Sequence, residues 1–438
     1  MQQPQPEIQR IANLTLSHPA VTRLDNGIPV YTFNLGDQEV SRVDIVIEGG
    51  RCDGNNQMES ELISALLREG TQHQDARTIA EHLDYYGSWL GANASSHNVT
   101  ISLYAVNKYF DRVIPTIADI IRIPSFPEHE LGNLKSLALT RLRTNNEKVA
   151  YLSGVENSKL YFGTEHNLGK PTTPEMIERI SREELSAFHS DWFGRQNVAI
   201  LISGTVTDDM IASLNRHLGT DWNASTHSES GTDAPACRFT AQRSHIDKPN
   251  ALQSALRIAI PTVGRNHADY IPLRILTTAF GGYFGSRLMT NIREDKGYTY
   301  GISASLLGMR HNSQISIGCQ CDNSYTNAVI DEIVKEMEHL KAEPLGMEEL
   351  NRVKSYMLSD LARTLDTPFS VADFHLSMLS NRIPADYFDN QVRLLGSITP
   401  EELQAMAVRY FDTDNMLITI AGNMEAVNAP TSAENGTR

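Results

Sequence analysis

Arg293, Tyr300 and the glycines around them, in the stretch GGYFGSRLMTNIREDKGYTYGIS (residues 281–303), are the residues of this sequence most suited to holding another molecule. The chemistry they suggest is binding, since no evident catalytic group stands beside them. Taken as residues alone they also admit plainer roles. An arginine that follows an apolar helix stripe (Leu288, Ile292) reads as a solvated terminal charge, and a strand tyrosine reads as core. Tyr298 alternates with Tyr300 across Thr299, so on a strand the two rings share a face. The glycines do not make a phosphate loop, because no G-K-[ST] follows and no strand-to-helix order precedes them. They read instead as places where a helix starts close to neighbouring backbone.

Residues that could bind a metal are scattered. Cys52, Cys237, Cys319 and Cys321 are sparse for a chain of 438 residues, which is unlike a disulfide scaffold and compatible with a reducing compartment. Cys319 and Cys321 form C-x-C on a strand-like run, so both sulfurs face one side of a sheet. With no further ligand nearby, core packing is the expected role. His73, His82 and His97 fall on a loop, a helix and a strand without metal spacing.

The elements that must position these residues are set by an internal repeat. ISREELSAFHSDWFGRQNVAILISG, from Ile180, aligns without a gap with ITPEELQAMAVRYFDTDNMLITIAG, from Ile398, an offset of 398 − 180 = 218 residues. Each copy reads as a helix capped by Ser181 or Thr399 with acids in its first turn, then a turn at Asn197 or Asn415. An apolar strand follows and stops at Gly204 or Gly422. Two other blocks repeat in the same order. A helix end, a glycine break at Gly87 or Gly297 and a two-stranded hairpin come first; two helices joined by a Pro-containing turn follow. The chain is therefore expected to be α+β, built of two similar halves at 18–215 and 245–428 around a polar linker at 216–244. Each half should carry a mostly antiparallel sheet with helices on one face.

Composition fits this and narrows the partners. With 40% apolar and 21% charged residues the chain has the balance of a soluble globular protein and the length for more than one core. A net charge of −15, unrelieved by any Lys/Arg-rich run, argues against nucleic acid and anionic membrane. No apolar run approaches the length that crosses a bilayer, and MQQPQPEIQR lacks the pattern of a signal peptide. The expected compartment is the cytoplasm or, if a leader has been removed, the periplasm.

The two halves, together with LDNGIPVY opening the first strand, EGGRCDG, EGT at the end of the next helix and GSRLMTNIREDKGYTYGIS, resemble the pitrilysin (insulinase-type) zinc metallopeptidase family over about residues 21–422. The family carries H-x-x-E-H on the helix before the Gly-Thr step, where positions i and i+4 reach one metal and the Glu between them acts on bound water. Counting back from Gly70 and Thr71, this chain has Glu61, Ser64 and Ala65 at those positions. The position matching the family's distal glutamate ligand is Arg141, which has no lone pair to offer zinc. The resemblance thus implies a chain that binds no metal of its own. Glu61 is expected to lie with Ser64 on the polar side of its helix, opposite Met58, Leu62 and Leu66, and to pair with Arg141 or Arg143 in place of the metal bridge; free solvation is the plainer alternative.

In the second half the family's Arg and Tyr, seven residues apart, fall on Arg293 and Tyr300. The resemblance implies that the Arg holds a substrate carbonyl and the Tyr donates to the oxyanion of the tetrahedral intermediate. It further implies a non-catalytic subunit that completes the active site of a homologous zinc-bearing chain in a heterodimer, with a peptide as substrate and the zinc in the partner. The alternative is a non-enzymatic peptide-binding or scaffold protein of the same fold, homodimeric when alone.

Overall fold

The computed structural model describes residues 14–227, 229, 231 and 241–429. Cys237, with residues 228, 230 and 232–240 of the expected linker, and residues 430–438 of the terminal stretch lie outside these. In the first half the elements run β1 (Ala20–Arg23), β2 (Pro29–Asn34), β3 (Val40–Glu48), α1 (Met58–Leu66) and α2 (Ala76–Tyr85). The hairpin β4 (Trp89–Ala94) and β5 (Asn98–Val106) follows, then α3 (Phe110–Arg122), α4 (Glu128–Asn146), α5 (Val149–Phe162), α6 (Pro174–Arg179), α7 (Arg182–Trp192), β6 (Val198–Gly204) and α8 (Asp208–Leu218). The second half begins with β7 (Gln242–Asp247), β8 (Gln253–Val263) and α9 (Tyr270–Thr277), then the hairpin β9 (Thr299–Gly308) and β10 (Asn312–Asp322). It ends with α10 (Thr326–Ala342), α11 (Met347–Arg363), α12 (Pro368–Ser380), α13 (Tyr387–Ser397), α14 (Pro400–Tyr410), β11 (Leu417–Gly422) and α15 (Met424–Asn428).

The repeat is structural as well as sequential. The first sheet has six strands in the order β1-β2-β6-β3-β5-β4 and the second has five in the order β7-β11-β8-β10-β9. All pairs are antiparallel except β2 with β6 and β7 with β11. Helices α7 and α14, which lead into the corresponding strands β6 and β11, both start with a full capping box, Ser181 with Glu184 and Thr399 with Glu402. The glycine breaks correspond too, since Gly87 and Gly297 both take left-handed backbone, φ 62° and 65°, where a Cβ would be strained. Cys319 and Cys321 are buried and free, in keeping with a packing role.

Each sheet packs helices of its own half on one face, as expected, and its second face is in addition partly covered by a helix from the other half. On β3, Val43, Ile45 and Ile47 join the core of the first half, while Val46, with Phe33 and Leu201, joins a core formed mainly by the second. Helix α12 supplies the cover, lying on β2 and β6. Reciprocally α5 lies on β8 and β11. There the Thr419 hydroxyl donates to the Ser153 carbonyl at 2.9 Å, and the Asn157 amide reaches the Leu417 carbonyl at 3.4 Å. The cause is the alternation of strand side chains, which gives both faces of a sheet apolar residues to bury. Among the described residues no helix is long and apolar enough to cross a membrane.

Candidate functional site

Helix α1 carries the degenerate motif. Met58, Leu62 and Leu66 are buried as their spacing requires, and Glu61 and Ala65 are half-buried on the side turned to α4 and α5. Ser64 departs from expectation, for it is buried and its hydroxyl turns back to donate to the Glu61 carbonyl at 2.8 Å. A hydroxyl satisfied by its own helix turn needs no polar face.

Glu61, Ala65 and Arg141 line one open cleft of roughly 600 Å³, together with Leu134, Ala138 and Tyr151. Three of the four matched positions therefore converge as a metal site would require, but the residues there do not fit zinc. Glu61 is the one anionic donor, Ala65 offers a methyl group and Arg141 brings a permanent positive charge. Among the described residues no group of three His, Cys, Asp or Glu side chains could hold a metal ion. His73 bonds to Asp119 and His82 to the Arg112 carbonyl, each alone.

Glu61 pairs with neither Arg141 nor Arg143. Its cation is Arg51, with Nη1 3.8 Å from Oε1. Arg51 sits in the turn between β3 and α1, close to the helix start, whereas both arginines of α4 are exposed. Burial pushes the Glu61 carboxyl above its ordinary range, and Arg51 pulls it part of the way back. Burial, and then the neighbouring Glu61, push the Tyr151 hydroxyl up as well. Arg51 and Tyr151 were missed from sequence because neither lies within the helix periodicity that located the motif.

The Arg/Tyr segment is held differently. Two wide, π-type turns, Thr278–Gly282 and Met289–Asp295, lead into its strand β9. Gly281 lies so close to β9 that a Cβ there would stand 2.6 Å from that of Ala304, which fits the packing role expected for the glycines. Arg293 lies in the second turn. Its guanidinium is 4.7 Å above the Phe284 ring and 3.3 Å from Glu294, a geometry for cation–π attraction. Phe284 is 64% exposed. Tyr298 precedes β9 instead of sharing a strand face with Tyr300, and its ring stacks on Tyr325 at 4.7 Å. Tyr300, on the edge strand, is 92% exposed. It borders a groove of about 520 Å³ whose floor includes Arg257, Ser303 and Gln320 and whose wall is α5. Ala150 of α5 lines both this groove and the Glu61 cavity, so one helix separates the two regions. Arg293 lines neither.

Comparison with known proteins agrees with this geometry. Residues 179–357 match the family model described as "Peptidase M16 inactive domain"; the match contains Arg293 and Tyr300 but not Glu61, Ala65 or Arg141. The chain is 22% identical over 372 residues to "Uncharacterized zinc protease YmxG" of Bacillus subtilis (strain 168), covering 83% of this chain and 89% of that protein. It is 20% identical over 383 residues to "Non-peptidase homolog YmxG" of Helicobacter pylori (strain ATCC 700392 / 26695), covering 86% and 87%. The crystal structure of a peptidase M16 inactive domain from Pseudomonas fluorescens superposes with a TM-score of 0.80 at 21% identity, over 92% of this chain and 98% of that one. The chain is thus similar to the peptidase M16 proteins: residues 179–357 match the model of their inactive domain, and the chain shares the fold of the solved Pseudomonas fluorescens structure.

Proposed function

We propose that this chain is the non-catalytic subunit of a heterodimeric M16-type zinc peptidase, supplying Arg293 and Tyr300 to a homologous partner that carries the zinc. The observation behind this reading is the state of Tyr300. Its hydroxyl stands out from an edge strand with no hydrogen-bond partner among the described residues, so it is free to donate to something outside the chain. A fixed donor aimed at developing negative charge is worth about 3 kcal/mol in a dry site. Arg293 needs only to release Glu294, an exposed neighbour whose ion pair is worth little, to offer its fork to a peptide carbonyl. An extended peptide would lie beside the exposed edge of β9.

The test is reconstitution. The purified chain, expected to show neither peptidase activity nor stoichiometric zinc alone, is mixed with a zinc-bearing M16 relative, and turnover of a peptide is followed. Activity is expected to appear on mixing and to fall about a hundredfold with Tyr300→Phe. Turnover unchanged by Tyr300→Phe and by Arg293→Ala would refute the assigned roles. A second reading, a peptide-binding or scaffold protein without enzymatic duty, is favoured by the contact of the half-buried Arg293 with the exposed Phe284, a cation and a ring that together could grip a ligand. It predicts peptide binding with no gain of activity on mixing.

A further inference from the structure

A second cavity, of roughly 550 Å³, lies at the seam between the halves, where the end of α12 meets the first sheet. Its charged lining is Arg23, Arg195, Arg382 and Glu48. Glu48 is already neutralised, because Arg310 clamps both of its oxygens at 2.9 and 2.8 Å and Arg382 stands only at 4.0 Å. Among the described residues no carboxylate pairs with Arg23 or Arg195; Arg23 donates to the Gly27 carbonyl at 2.8 Å. Arg23 and Arg195 therefore border one hollow without a carboxylate partner, and Arg382 shares Glu48 with Arg310, so cations outnumber anions there in a chain whose overall charge is −15. Such a cluster attracts anions against the field of the whole molecule.

Arg382 adds an independent observation. It follows α12 at the position where a left-handed residue closes the helix, with φ 53°. Its N–H donates to the Leu379 carbonyl, and the Ile383 N–H donates to the Met378 carbonyl. Glycine is the usual occupant of that position, and a residue with a Cβ costs about 1 kcal/mol there. The backbone gains nothing from an arginine, whereas the cavity gains a third cation. Strain kept at such a place points to function.

We propose that this cavity binds a phosphate group, through Arg23, Arg195 and Arg382. Planar guanidinium forks match phosphate oxygens two at a time. The space exceeds that of inorganic phosphate, and Pro29, Tyr31, Val46 and Leu379 give it apolar walls, so the ligand is a phosphorylated small organic molecule. Because its cations come from both halves, the bound phosphate bridges them.

Isothermal titration calorimetry of the full chain at fixed ionic strength tests this with inorganic phosphate and with phenyl phosphate. One saturable site is expected for each, tighter for phenyl phosphate; equal affinities would assign the site to free phosphate and overturn the organic ligand. Arg195→Gln and Arg382→Gly should each weaken binding about tenfold or more, the loss of one charge-assisted contact. Arg382→Gly should also keep or raise Tm, since glycine relieves the left-handed backbone, so weaker binding by that variant is not a failure to fold. Arg77→Ala, at a distant exposed arginine, should change nothing. Absence of saturable heat, or wild-type affinity in both pocket variants, would overturn the proposal.

Discussion

Glu61 is the one carboxylate among the residues lining the cavity it shares with Ala65 and Arg141. Its carboxyl is held above the ordinary range by burial, against the pull of Arg51, so ionising it costs more in the folded chain than in the unfolded one. A raised carboxyl contributes stability that is fully present at acid pH and is lost as pH rises through the folded value. Glu61→Gln should therefore stabilise the protein slightly at pH 7, by about 0.5 kcal/mol or less for a half-exposed site. The gain should vanish as the pH falls below the usual glutamate range. Thermal melts of both forms between pH 4 and 8 check this; a gain that grows toward acid would be the wrong sign. The placement of Glu61 and Ala65 on one side of α1 was legible from their spacing, because helix geometry is rigid. The partner Arg51 was not, because it lies in a turn whose path no periodicity encodes. The convergence of Glu61, Ala65 and Arg141 on one cavity carries a sharper prediction. Glu61→His, Ala65→His and Arg141→Glu together should bind about one zinc per chain, read by metal analysis of the folded protein; background metal content would mean that the cavity has lost the geometry as well as the ligands.

At the scale of elements, the duplicated capped helices were the most readable feature, since a capping box is a local motif with its own hydrogen bonds. Ser181→Ala and Thr399→Ala should each cost about 1 kcal/mol in urea denaturation. The exchange of α5 and α12 between sheets was not readable. Helix α5 has apolar residues around its whole circumference, Tyr151, Val155, Leu160 and Phe162 among them, so no single stripe announced which sheet it would meet. The wide turns at Thr278–Gly282 and Met289–Asp295 are likewise set by tertiary contact with β9. Thr419→Val tests the exchange directly. It keeps the shape but deletes the donor to the Ser153 and Arg257 carbonyls, and with a buried acceptor left unsatisfied it should cost about 1 to 2 kcal/mol.

For the whole molecule, two charged clamps join the halves. One is the Arg310–Glu48 pair. The other is Arg42, buried against Asp44 at 2.7 Å and reaching Asp373 of α12 at 2.7 Å and the Phe369 carbonyl at 3.3 Å. Removing one partner of a buried pair leaves the other charge without compensation. Arg310→Met should accordingly destabilise by about 3 kcal/mol or more, and calorimetry should show the single unfolding transition broaden or split as the halves uncouple; one sharp, unshifted transition would mean that the clamp contributes nothing. Two α+β halves could be inferred from the repeat, whereas their union through swapped helices and long-range ion pairs joins residues hundreds of positions apart.

That union also constrains how the protein is made. Gly204 completes the first sheet, but Pro368, the first residue of the helix that covers its second face, is synthesised 164 residues later, roughly 10 to 30 s at ordinary elongation rates. Throughout that interval the nascent chain presents Phe33, Val46 and Leu201 to water, a sticky surface on the ribosome. The swapped helix thus makes the finished molecule cooperative and its unfinished first half a client for chaperones.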